Sequence, residues 1–94
     1  MTDTILTLNP DPNKKGVRID KAKYDFMHAE ILKVLREVGP IGAMALVKEL
    51  DNRIGDEKFG GSIGWYATAV RLDMEAKNEI RYNRDDKKPV ITLP

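Results

Sequence analysis

Leu72-Asp73-Met74-Glu75-Ala76-Lys77-Asn78-Glu79-Ile80 closes one structural element and opens another. Residues up to Lys77 suit a helix. Asn78 is one of the few side chains besides glycine that readily takes the left-handed conformation that ends one. Ile80 and Tyr82 then lie two apart, the period of a strand with one apolar face. Reading backward, Ser62 is the only serine in the chain and a good N-cap, which predicts a helix over 62–77. Reading forward, residues 79–83 read as a strand, Arg84-Asp85-Asp86-Lys87-Lys88 as a polar turn and residues 89–93 as the returning strand.

Two helices and an arm precede this unit. Asp20 is an N-cap, and Tyr24, Met27, His28, Ile31, Leu35 and Val38 recur at spacings of three and four. They predict one apolar face on a helix that reaches about 38, where Gly39 ends it and Pro40 prevents continuation. A second helix is expected over about 43–54, with Leu46, Val47, Leu50 and Ile54 inward and Gly55 at its end. Residues 56–61 read as a loop pinned by Phe59. Ahead of all this, Ile5-Leu6-Thr7-Leu8 suits a short strand, and Asn9-Pro10-Asp11-Pro12-Asn13 is a strong turn signal. Lys14-Lys15-Gly16 is a loop, and Val17 and Ile19 alternate with polar neighbours. The expected organisation is an arm over 1–19 and a domain over 20–94.

Composition narrows the chemistry. Ninety-four residues suit one core. With no cysteine and one histidine, His28, there is no thiolate, no disulfide and no multi-histidine metal site within one chain. No carboxylate pair has a spacing that suggests acid–base work. No catalytic residue, cofactor or metal is therefore expected, and the chain does not read as an enzyme. The start shows no secretory pattern. The longest uncharged stretch in the helical region, residues 38–47, is far below a membrane span. A cytoplasmic protein without membrane contact is expected. Sixteen basic and fifteen acidic residues give a net charge of +1, whereas dedicated nucleic-acid binders carry a clear basic excess.

Helix, helix, long helix and hairpin within ninety residues is the winged-helix order. The stretch 72–80 resembles the leucine–glutamate–x–lysine–glycine–leucine/isoleucine signature that closes the recognition helix of bacterial winged-helix regulators. Met74 stands for the core leucine, Asn78 for the glycine and Ile80 for the first hydrophobe of the wing. The whole chain, with Leu8-Asn9-Pro10 and Gly61-Ser62-Ile63-Gly64-Trp65-Tyr66, resembles a family of small uncharacterised bacterial winged-helix proteins. What the resemblance implies is an α+β fold, mainly α: a three-helix bundle, a β-hairpin wing, and an N-terminal arm adding a short strand. It implies no biochemical function.

Two functions follow from the face of the helix at 62–77. At about 100° per residue, Ile63, Ala67, Val70 and Met74 fall together as the core face. Gly64, Thr68, Arg71 and Glu75 form a polar stripe, and Trp65, Ala69, Leu72 and Ala76 form a second apolar one. In the leading reading the protein binds double-stranded DNA as a regulator or accessory factor. Helix 62–77 and wing 81–90 then lie on the duplex through Thr68, Arg71, Arg84, Lys87 and Lys88. The alternative is a dimerisation or protein-interaction module that uses Trp65 and Leu72 and does not bind DNA. The outward face offers one arginine against Asp73 and Glu75, a poor surface for phosphate. Trp65 and Leu72 together are more apolar surface than a monomer leaves in water. They are expected to be buried against Ile5, Leu6 or Leu8 of the arm, or against a second chain. The wing cations alternate with Asp85 and Asp86, which also suits a merely solvated turn. His28 reads as a satisfied, partly buried histidine, and Gly60-Gly61-Ser62 as a turn and cap.

Overall fold

In the computed structural model, the carboxylate of Asp20 accepts a hydrogen bond from the Lys23 N–H at 3.1 Å and starts α1, Lys21–Val38. The structure describes residues 3–94, with Asp56 through its backbone alone. Met1 and Thr2, the first residues of the expected arm, lie outside the described residues. Gly39 ends α1 at φ 87°, and its N–H returns to the Leu35 carbonyl. The inward face of α1 is Tyr24, Met27, Ile31, Val34 and Leu35. Val38, expected inside, is half exposed: it sits in the last turn, beyond the helices that cover the rest.

A second helix, α2, spans Ala43–Ile54, with Leu46, Leu50 and Ile54 buried and Val47 only partly so. The expected loop after it contains one turn of helix, α3, Asp56–Phe59. Gly55 and Gly60, both at positive φ, confine it to that turn. Phe59 is buried as expected and anchors the segment. Ser62 accepts from the Trp65 N–H and starts α4, Ile63–Ala76. The helix stops one residue earlier than predicted because Asn78 turns left-handed at φ 61°, and the Glu79 N–H then bonds the Met74 carbonyl. These are the bonds of a glycine-type helix end, made here by asparagine.

Two small antiparallel sheets flank the helices. β1, Thr4–Leu6, pairs with β2, Arg18–Asp20, in the register Ile5 to Ile19. Thr7, expected within the first strand, lies just past it and continues its register, bonding Val17 through both backbone and side chain, while the chain turns at residues 10–14. The hairpin closes so tightly that a Cβ on Gly16 would lie 1.6 Å from the Thr7 carbonyl oxygen. β3, Arg81–Tyr82, pairs with β4, Ile91–Thr92. These strands are much shorter than the expected 79–83 and 89–93, because the intervening residues form a turn and bend rather than a ladder. Ile91 is also bonded by Ile41, from the segment between α1 and α2, at 2.7 and 3.1 Å.

The helices α1, α2 and α4 pack on one another. Met27, Ile31, Leu46, Leu50, Ile63, Val70, Met74, Ile80 and Ile91 form a fully buried centre, each such side chain contributing about 1.5–3 kcal/mol. The described residues thus make a mainly helical α+β protein with small two-stranded sheets. No helix among them is long and apolar enough to cross a membrane.

Candidate functional site

Asp73 organises the outer side of α4, and sequence reasoning placed it wrongly. Counted above among outward-facing groups, it is fully buried. Its carboxylate accepts from the Tyr24 hydroxyl of α1, from the Leu8 N–H at 2.8 Å and from Lys77 Nζ at 2.9 Å. Burial alone would raise its pKa. The hydrogen bonds from Tyr24, Lys77 and Leu8 outweigh burial and hold it below the ordinary carboxylate range. Burial, and then the bond to Asp73, push the Tyr24 hydroxyl well above its usual value. On the helical wheel Asp73 stands between the core stripe and the Leu72 stripe, and a buried tyrosine needs a hydroxyl partner. Those were the available signals.

Through the Leu8 bond, Asp73 lays the arm along α4. Leu72 is half-buried beside Leu8, Asn9 and Pro10. Trp65, expected to be covered with it, remains 49% exposed. Between the arm and the indole lies a groove of about 170 Å³, lined by Leu8, Lys15, Val17, Trp65, Thr68 and Leu72 among others. Ile5 faces the core instead, and Leu6 is exposed. The Trp65 ring stands edge-on to Tyr66 at 5.0 Å, and Tyr66 edge-on to Phe59 at the same distance. The indole is therefore held in place while half of it faces outward.

The expected nucleic-acid contacts separate into two groups. Thr68 is exposed, but its hydroxyl donates to the Gly64 carbonyl at 2.8 Å. Arg84 donates to both oxygens of Glu75, the second bond at 2.8 Å, and Glu75 raises its pKa. Arg71 lies 3.9 Å from the same carboxylate, largely buried, and burial lowers its pKa. Both guanidiniums sit over the Tyr82 ring, at 5.1 and 5.0 Å, a cation–π arrangement. Lys87 and Lys88 are exposed on the hairpin turn, as is Arg81 on β3. His28, half-buried, bonds Glu79 at 2.9 and 3.1 Å. Among the described residues, no group of His, Cys, Asp and Glu side chains could hold a metal ion.

The architecture is a mainly helical α+β protein whose N-terminal hairpin is tied to its last long helix by a buried carboxylate. The chain belongs to the family of unknown function DUF6958, whose model matches residues 4–91. No curated protein and no solved structure matches it.

Proposed function

We propose that this chain is a winged-helix module that docks another polypeptide on the outer face of α4, with Trp65 as the central anchor and Leu72 and Leu8 beside it. One observation carries the reading. A tryptophan braced by Tyr66 is left half exposed at the mouth of an apolar groove, the kind of rigid aromatic anchor that dominates protein interfaces. The polar groups that would have to read bases on that face are engaged within the chain. Thr68 serves Gly64, and Arg71 and Arg84 share Glu75 and Tyr82. The order of three long helices and a hairpin, with Ile41 bridging to the hairpin, supports the winged-helix assignment.

Sedimentation and Trp65 fluorescence test this together. If the docked chain is a second copy, the wild type dimerises with a blue shift of the indole emission, and Trp65→Ala stays monomeric. If it is a different chain, a polypeptide retained by the wild type and not by Trp65→Ala produces the same blue shift on titration. An indole that stays solvated in concentrated protein and with every captured polypeptide overturns the proposal.

The exposure of Arg81, Lys87 and Lys88 favours a second reading, sequence-independent contact of the hairpin with duplex phosphates. Its mark is an affinity that falls steeply with salt and varies little between unrelated duplexes.

A further inference from the structure

On the other side of α4, between it and α2, runs a second groove of about 410 Å³, within the size range of small-molecule sites. Its walls include Met44, Val47 and Lys48 from α2 and Gly64, Thr68 and Arg71 from α4. We infer that this groove binds a small amphipathic monocarboxylate, its apolar tail along Gly64 and Val47 and its carboxylate at Arg71. This goes beyond the docking reading and does not depend on it.

Three observations lead there. First, the groove is apolar and its lining holds two cations and no carboxylate. Second, Arg71 is incompletely satisfied. Arg84 takes both oxygens of Glu75, and the buried Nη1 of Arg71 has no hydrogen-bond partner. Nη1 lies 3.9 Å from Glu75, an ion pair without a hydrogen bond; a buried donor left so is costly, and a carboxylate in the groove supplies the bond once the guanidinium turns toward it. Third, polarity is segregated along α4. Gly64, whose missing side chain opens the groove against Val47, stands seven residues from Arg71, about 10.5 Å at the helical rise. One apolar end and one cationic end fit a ligand with one tail and one head. Met44, 79% exposed at the edge, is a flexible apolar chain able to fold over such a tail. A second copy of the protein seated two-fold on this groove would bring Lys48 and Arg71 against their own equivalents, which like-charge repulsion opposes.

The experiment titrates the intact chain, labelled at the methionine and valine methyls, with n-decanoate, n-decanol and an amphipathic Leu/Glu peptide. Decanoate is expected to shift Met44 and Val47 saturably, with decanol weaker by roughly tenfold for want of the charged contact. Arg71→Gln should bring acid and alcohol to similar affinity. Because Arg71 also packs on Tyr82, exposed Lys48→Glu serves as the variant without fold cost, and it should weaken decanoate but not decanol. Gly64→Ala places a methyl 3.7 Å from Val47. It should weaken decanoate without lowering the melting temperature, since alanine is the better helix former. Trp65→Ala should leave decanoate binding intact, which separates this site from the docking face. Equal binding of acid and alcohol by the wild type, shifts centred on Val17 in the Trp65 groove, or saturable binding of the peptide alone would each overturn the inference.

Discussion

Asp73 is sealed from water, and its three partners come from three different parts of the chain. Its folded pKa is depressed, so the unfolded chain, with an ordinary aspartate near about 3.9, takes up the proton first. The stabilisation is therefore complete above about pH 4 and is lost as pH falls through the lower folded value. Asp73→Ala should cost roughly 3 kcal/mol, as when one member of a buried pair is removed. It should also flatten the acid limb of a urea-midpoint profile; an unchanged limb would assign that limb to other carboxylates. Asn78 is a second single-residue feature. At φ 61° a side chain with a Cβ is strained and glycine is not, so Asn78→Ala should lower stability by about 1 kcal/mol while Asn78→Gly does not. Denaturant midpoints for the two variants check this directly.

At the scale of elements, the arm hairpin and α4 behave as one unit. The Leu8 N–H bond to Asp73 and the Thr7–Val17 bonds hold the arm to the helix. The close approach of Gly16 to Thr7 leaves no room for a side chain. Gly16→Ala should open the hairpin. The amides of Thr7 and Leu8 should then lose protection from hydrogen exchange, while those of Leu50 and Val70 keep theirs. Equal loss everywhere would mean that arm and bundle unfold as a single cooperative block. The β3–β4 hairpin is held differently, by Ile80 and Ile91 in the core and by the Arg71–Tyr82–Arg84–Glu75 cluster. Glu75→Gln removes the charge shared by both arginines and should release Arg84 to solvent, increasing whatever affinity the hairpin has for duplex DNA.

For the whole molecule, a net charge of +1 gives no long-range attraction to nucleic acid, so any such binding must be local to the hairpin. Replacing Lys87 and Lys88 together by alanine should reduce the magnitude of the salt slope of duplex binding by roughly two, equally for unrelated sequences. A loss confined to one sequence would mean that these lysines read bases. If the wild type shows no salt-dependent binding even at low ionic strength, the phosphate-contact reading falls and the docking face stands alone.

The sequence by itself determined the order of the long helices, their caps at Asp20 and Ser62, their ends at Gly39, Gly55 and Asn78, and the core face of α4. These depend on local backbone chemistry and on helical period, which a linear chain displays. It also made Trp65 and Leu72 conspicuous as an apolar stripe. Only the tertiary structure decided how that stripe was divided, with Leu72 beside the arm and Trp65 left half open, because that depends on where the Leu8 bond to Asp73 sets the arm along α4. Tertiary packing likewise drew Asp73 inside and set Arg71 and Arg84 on one carboxylate. A charged side chain at the border of a helical face goes inward or outward according to which partners other elements bring to it, and here Tyr24 and Leu8 bring donors from α1 and the arm.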